Sequence, residues 1–495
     1  MIAPVLLPAF AAMACVLAGG RLGLQRVIAL TSSVALVLLA AALLAAAADG
    51  GWQVYRLGDW PAPFGIVLVL DRLSALMLLL TALVVLAACA SALQGTDARG
   101  SHFHALLLFQ TMGVNGAFLT GDLFNLFVFF EVLLIASYGL LTHGGGALRL
   151  RAGMHYVVIN LTGSALFLIA VSLLYGVTGT LNLADLSQRA ATLPESDAAL
   201  LRAAGLLLFG VFAIKAAAFP LYFWLPSAYS AAAAPVAAAF AIMTKVGIYA
   251  IIRVSEIGFG DGAGLAANLA QDWLLPAGLA TLALGAIGAL AATHLRGLLA
   301  YLTVASVGTL LVAAGLASAA ALAAGLYYMV HSTLTVAALF LVAELIARSR
   351  GEAADRLKPG GVTPPTLQGL LFLVGAVAVA GLPPLPGFLG KVLLLDAAIG
   401  RDGMAWVWAV VLASGLIAVI ALARAGSLFF WKTRRDMPQP GAASALQALP
   451  AVALIALVLL LSVFAGPAKR YADATVAQLA NVAGYRAAVL DGGAQ

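Results

Sequence analysis

Apolar runs of about 20 residues, the length that crosses roughly 30 Å of hydrocarbon, recur along the whole chain, separated by short polar segments. They predict an all-α polytopic membrane protein of about fourteen helices, near 2–18, 27–48, 66–93, 103–119, 122–142, 154–176, 200–224, 235–256, 272–292, 296–317, 320–347, 367–397, 404–431 and 447–466. No polar stretch is long enough for a separate soluble domain. Two runs are interrupted: IKAAAFPLYFWLP places Pro220 five residues after Lys215, and GLPPLPGFLGK places Pro386 five residues before Lys391. Proline removes a helical hydrogen bond and clashes with the preceding turn, so helices seven and twelve of this series are expected to be broken.

Those two breaks lie five helices apart. An odd period reverses membrane orientation, so helices 4–8 (residues 103–256) and 9–13 (272–435) are expected to form two inverted five-helix repeats. Residues 1–102 would add three N-terminal helices, and 436–495 a fourteenth helix and a tail.

Composition agrees: of 495 residues, 63% are hydrophobic and 9% charged, against about a quarter charged in soluble domains. The formal charge of +6 does not indicate nucleic acid, because the basic residues are spread between apolar runs. Alternate loops carry Arg21 and Arg26, Arg99, Arg149 and Arg151, Arg296, Arg348 to Lys358, and Lys432 to Arg435. By the positive-inside rule these loops face the cytoplasm and both termini lie outside. No Lys or Arg precedes the first apolar run, so it is expected to stay as a helix and not be cleaved as a signal peptide. Two cysteines, both inside apolar runs, indicate neither a disulfide framework nor a metal site. No CxxC, HExxH, P-loop or dinucleotide fingerprint is present, so no cofactor or metal is expected.

A charge at the bilayer centre costs roughly 2.5–3.5 kcal/mol even on the lenient insertion scale, which makes intramembrane ionisable residues functional candidates. Glu131, Lys215, Lys245 and Lys391 stand out. Structural ion pairing or snorkelling is the alternative, but Lys215 lies about 22 Å along a helix from Leu200. His331 titrates near neutrality and suits a proton relay, or it packs as a hydrogen-bonded core histidine. Glu344 and Arg348 have the i,i+4 order of a structural pair. Asp71 and Arg72 read as a helix cap and interfacial anchor, and His102 and His104 as an interface feature.

These motifs carry a resemblance. FFEVLLIASYGLL around Glu131, the block from Ile214 to Val254, LLAYLTVASVG from Leu298, and GLPPLPGFLGK resemble the proton-translocating antiporter-type subunits shared by Mrp cation/proton antiporters and respiratory NADH:quinone oxidoreductase. The likeness extends over the whole chain and is greatest to the D-type subunits of Mrp antiporters. It implies a secondary transporter subunit, not an enzyme, in a bacterial inner membrane with other integral membrane subunits as partners, moving protons against Na+ or K+. It further implies that Glu131 is an acid paired with Lys215, that Lys245 connects, and that His331 and Lys391 complete a midplane path. Many relatives have a lysine just after the histidine; HSTLTVAALF has Thr335 and Val336 there, so the relay would use His331, Ser332, Thr335 or water. The competing readings are a pump module of a redox complex, which would make the chain part of a translocase, and an inert scaffold.

Overall fold

In hydrocarbon every backbone N–H and C=O must find a partner within the protein, and a helix does this within one segment. The computed structural model describes residues 1–359, 366–432 and 445–491, and their long apolar stretches are helical. In chain order these residues form α1 (Ala3–Leu17), α2 (Leu22–Ala46), β1 (Gln53–Arg56), β2 (Val67–Leu70), α3 (Arg72–Ala92), α4 (Phe103–Leu119), α5 (Leu123–Thr142), α6 (Ala147–Thr178), α7 (Leu183–Thr192), α8 (Glu195–Ala216), α9 (Trp224–Ala231) and α10 (Ala234–Phe240). There follow α11 (Met243–Arg253), α12 (Gln271–Ala291), α13 (Leu295–Gly315), α14 (Ala319–Ser349), α15 (Thr366–Ala380), α16 (Pro386–Ala397), α17 (Met404–Gly426), α18 (Ala445–Val463), α19 (Ala465–Ala480) and α20 (Val482–Leu490). Among the described residues eleven helical segments are long and apolar enough to cross a membrane, and α1, α4 and α15 are shorter apolar helices. Arg434 and Arg435, counted above among the cytoplasmic charges, lie outside the described residues, as does the expected boundary at 435/436.

The helices that are apolar all round are the innermost, as burial on every face requires. The segment from α10 through Gly258 is buried over its whole apolar window, and α14 and α13 follow at 89% and 83%. More lipid-accessible helices, among them α2, α6, α12 and α17, surround them.

Several boundaries differ from the sequence expectations. The helix expected over 66–93 starts only at Arg72, because Val67–Leu70 pairs antiparallel with Gln53–Arg56. Asp71 then caps α3: its side chain accepts from the Ser74 N–H at 2.8 Å while the Ser74 hydroxyl accepts from the Asp71 N–H at 2.9 Å, a reciprocal capping box. The C-terminal residues are not a plain tail after one helix. In α19 Thr475, Val476 and Leu479 are buried; Gln478 Oε1 accepts from the Arg72 N–H, and the Tyr471 hydroxyl donates to the Arg72 carbonyl, both at 2.9 Å. The tail therefore latches onto the start of α3. Helix α7 was also not anticipated; ten residues are too few to stand out by periodicity in so apolar a chain.

His102 and His104, expected together at an interface, separate. His104 is fully buried, with Nε2 3.0 Å from Asp97, which also pairs with Arg26 at 2.7 Å. Burial opposes ionisation of Asp97, yet its bonds to Arg26 and His104 hold the carboxyl below the usual range. This loop cluster ties α2 to the start of α4.

Candidate functional site

Both expected breaks are present, and both end in the same way. Helix α8 stops at Ala216; Ala217 adopts the left-handed conformation with φ 60°, and the Ala218 N–H reaches back to the Ala213 carbonyl at 2.9 Å. Helix α15 stops at Ala380; Gly381 has φ +80°, and the Leu382 N–H reaches the Val377 carbonyl at 3.1 Å. Each is a Schellman-type termination that satisfies carbonyls left at a helix end. Neighbouring elements take up other groups freed by the first break: Trp224 Nε1 donates to the Ile214 carbonyl at 3.0 Å, and the Phe219 N–H donates to Thr281 Oγ1 at 2.8 Å. The prolines do not kink a continuous helix. Pro220 lies in the turn between α8 and α9, and Pro386 is the first residue of α16, a position where the missing N–H costs nothing.

Lys215 sits in the last turn of α8, where the helix dipole favours a cation, and it is 5% exposed. Its Nζ donates to the Asn160 carbonyl (3.3 Å), Asn160 Oδ1 (3.4 Å) and Ser164 Oγ (3.4 Å), all on α6, and lies 5.9 Å from the centroid of the Phe130 ring. Glu131, on α5, accepts a short hydrogen bond from the Ser164 hydroxyl. Glu131 and Lys215 make no direct ion pair among the described residues; the expected pair is bridged by Ser164.

Lys245 is fully buried near the start of α11, just after the interruption at Ala241 and Ile242 that separates α10 from α11. Its Nζ donates to Ser306 Oγ on α13 at 3.1 Å. No proline marks this third interruption; the Phe240 carbonyl beside it accepts from the Tyr229 hydroxyl at 2.6 Å. Two residues on, Gly247 lets α11 abut the end of α8: a Cβ there would lie 2.5 Å from the Ala216 nitrogen. The helices bearing Lys215 and Lys245 thus touch at the first break.

His331 is fully buried on α14. Its Nδ1 lies 3.2 Å from Thr335 Oγ1, while that hydroxyl donates to the His331 carbonyl at 2.8 Å. With the hydroxyl proton so committed, Nδ1 is the donor and Nε2 the acceptor, and Nε2 has no hydrogen-bond partner among the described residues. It faces Gly387 at the start of α16, where a Cβ would overlap the Ala378 carbonyl oxygen and come within 2.7 Å of Nε2. Lys391, one turn further along α16, donates to the Ala380 carbonyl at 2.7 Å, its side chain passing over Gly381. The GLPPLPG stretch therefore brings a second helix end, a histidine and a lysine together. Gly387→Val is expected to destabilise the purified protein by about 1–3 kcal/mol, the usual cost of overpacking, read as a lowered thermal unfolding midpoint.

Glu344 lies apart from these groups and pairs with Arg348 at 3.0 Å near the end of α14, both side chains partly exposed. Exposed i,i+4 pairs contribute about 0.3–0.5 kcal/mol, so Glu344→Gln is expected to leave the unfolding midpoint nearly unchanged in the same assay. Sequence reasoning missed Asn160, Ser164, Ser306 and Arg253. The first two are four apart in INLTGSALF, on one face of α6, a polar pair detectable by spacing. Arg253, 4% exposed, pairs with Asp71 and was hidden by its position at a helix end. Asp71 is accordingly more than the cap and interfacial anchor read from the sequence.

The arrangement is a row of ionisable groups, Lys215, Lys245 and His331 buried and Glu131 and Lys391 partly so, each beside a helix interruption or a hydroxyl. The family model for NADH:quinone oxidoreductase/Mrp antiporter transmembrane proteins matches residues 120–418. A Rhizobium meliloti protein named as the probable D-type subunit of a K(+)/H(+) antiporter is 44% identical, covering 97% of this chain and 95% of that protein. The D-type subunit of the Na(+)/H(+) antiporter of Alkalihalophilus pseudofirmus is 37% identical over 99% of both. Among solved structures, a chain of the Mrp complex from Dietzia sp. superposes with a TM-score of 0.88 at 28% identity over 99% of each chain. A chain of respiratory complex I from Thermus thermophilus superposes with 0.78 at 27% identity, over 97% of this chain and 99% of the other. With the family match covering more than half of its length and relatives aligned nearly end to end, the chain belongs to the NADH:quinone oxidoreductase/Mrp antiporter transmembrane family.

Proposed function

We propose that this protein is the D-type subunit of a multi-subunit monovalent cation/proton antiporter, and that it carries protons through two half-paths joined along Glu131, Lys215, Lys245, His331 and Lys391. The observation that carries the reading is the setting of the three lysines. Each is held by hydroxyls, an amide or backbone carbonyls and has no carboxylate within ion-pair distance among the described residues. A purely structural buried lysine would be expected to have such a partner. Neutral acceptors let a lysine exist with or without its extra proton, as a relay requires. Identity to the two D-type antiporter proteins, 44% and 37%, exceeds the 27% to the respiratory complex I chain, and this favours exchange over redox pumping.

The two breaks would open the half-paths from opposite sides, in inverted repeats spanning 103–256 and 272–435. Thr335 would hold the His331 ring so that Nε2 receives a proton between Lys245 and Lys391, taking the place of the absent lysine. The protein would sit in a bacterial inner membrane with both termini outside, beside other integral membrane subunits. The experiment is exchange in inverted vesicles of a strain lacking its own antiporters, with the complete set of partner subunits expressed. Addition of Na+ or K+ is expected to collapse a preformed pH gradient, and the more effective ion identifies the cargo. Absence of collapse with either ion overturns the reading, and co-purifying flavin or iron–sulfur absorbance assigns the chain to a redox complex instead.

A further inference from the structure

We propose that Ser164 is a proton-carrying residue, the link through which Lys215 and Glu131 exchange a proton. This rests on the reading of the Glu131–Lys215 region as part of a proton path. Among the described residues Ser164 Oγ is the one side-chain atom hydrogen-bonded to both groups, and the two bonds run in the same direction: Lys215 Nζ donates to Ser164 Oγ at 3.4 Å, and the Ser164 hydroxyl donates to Glu131 Oε1. Ser164 is 6% exposed, and the Lys215 ammonium that it accepts from lies 5.9 Å from the centroid of Phe130, a ring that packs with Phe167 and Phe212 at centroid distances of 5.9 Å and 6.5 Å. The hydroxyl is thus the hydrogen-bonded link between the ammonium and the carboxylate among the described residues.

The step balances without any other reactant. One N–H bond of the Lys215 ammonium breaks as a new O–H bond forms on Ser164 Oγ; the original Ser164 O–H bond breaks as its proton joins Glu131 Oε1. An ammonium and a carboxylate become an amine and a carboxylic acid, and rotation about the serine Cβ–Oγ bond resets the hydroxyl. Asn160 holds Lys215 from the other side through its carbonyl and Oδ1. It is a positioning residue: of the two groups that exchange the proton it bonds to Lys215 alone, and its Nδ2 is anchored by donating to the Tyr156 carbonyl at 2.9 Å. The tyrosines near the bridge are Tyr138 on α5, edge-on to Tyr156 with ring centroids 5.5 Å apart, and Tyr156 on α6, whose hydroxyl is hydrogen-bonded to that of Ser137 at 2.9 Å.

The test compares Ser164→Ala and Ser164→Thr in the fully assembled complex, with assembly checked by co-purification of the partner subunits. In vesicles S164A is expected to exchange at least about 10-fold more slowly than the parent, with an altered pH profile, while S164T, which keeps the hydroxyl, stays within about 3-fold; the lower bound is set conservatively against the 100-fold or more of a positioned acid–base group. A parent-like rate and pH profile in S164A overturns the proposal, as does an S164T as slow as S164A, which would assign the loss to packing. A second readout does not need exchange. The infrared carboxyl band assigned to Glu131 by its disappearance in Glu131→Gln is expected to change frequency in S164A and not in S164T; an unchanged band in S164A overturns the bridge. If the parent complex shows no cation-driven exchange, the antiporter reading fails, and the infrared comparison still decides the hydrogen-bonded link.

Discussion

Lys215→Ala in the assembled complex is expected to lower cation-dependent proton exchange by about 100-fold or more, the scale on which a positioned acid–base group contributes, while the protein still inserts and co-purifies with its partners. Among the described residues the ammonium is the one cationic group in contact with Asn160 and Ser164, so its removal leaves Glu131 bonded to a serine that leads nowhere. Insertion should survive because alanine relieves the cost of a buried cation and adds no polar group to hydrocarbon. Glu131→Gln is expected to fall into the same class, since it keeps the shape and one acceptor of the carboxyl and removes the charge. The measurement is the initial rate of gradient collapse in inverted vesicles, normalised to the amount of complex. Parent-like exchange in K215A would remove Lys215 from the path and with it the proposed order of groups.

Breaking the Asp71–Arg253 pair is expected to have the largest effect on stability. Arg253 ends α11, and both its terminal nitrogens donate to the two Asp71 oxygens, one of them at 2.9 Å; the side chains are 5% and 2% exposed. Nε and one terminal nitrogen also donate to the Tyr249 hydroxyl at 3.0 and 2.8 Å, and that hydroxyl donates to the Phe118 carbonyl at 2.5 Å. Removing one partner leaves an uncompensated buried charge, which costs about 3–5 kcal/mol. Asp71→Asn isolates that effect, because asparagine caps a helix about as well as aspartate, so α3 keeps its N-terminus while Arg253 loses its counter-charge. Arg253→Met is the converse, and Asp71→Leu with Arg253→Met should recover part of the loss, less what the α3 cap contributed. Thermal unfolding of the purified complex measures all three. A D71N midpoint equal to the parent's would show that the pair holds nothing together.

The legible features were those whose cost in a bilayer is local. A glutamate or lysine inside an apolar run costs energy wherever its partner lies, so Glu131, Lys215, Lys245 and Lys391 could be named before any fold was known. Proline acts through its own backbone, so both proline-bearing breaks were visible, and the structure has separate helices on either side of each. The interruption before Lys245 was invisible, since AAAFAIMTK contains no residue that forces it. Val67–Leu70 was equally obscure: an apolar run of four can be helix or strand, and its partner strand fourteen residues away decided the matter.

The sequence by itself determined that this is a polytopic helical membrane protein with lysines inside apolar runs beside two proline-marked breaks. Hydropathy and proline geometry operate within a single segment, and no alternative arrangement of helices would change them. Only the tertiary structure decided what those charges touch. Ser164 between Lys215 and Glu131, Ser306 on Lys245, the His331 Nε2 turned toward Gly387, and Asp71 paired with Arg253 across 182 residues are contacts between separate helices, 33 or more residues apart in the chain. The hydroxyls and glycines that make them are common and inexpensive in any membrane helix, so nothing in their local sequence distinguishes the few that lie on the path. Helix packing selects them, by bringing a small or hydroxyl-bearing face against the one lysine that needs it.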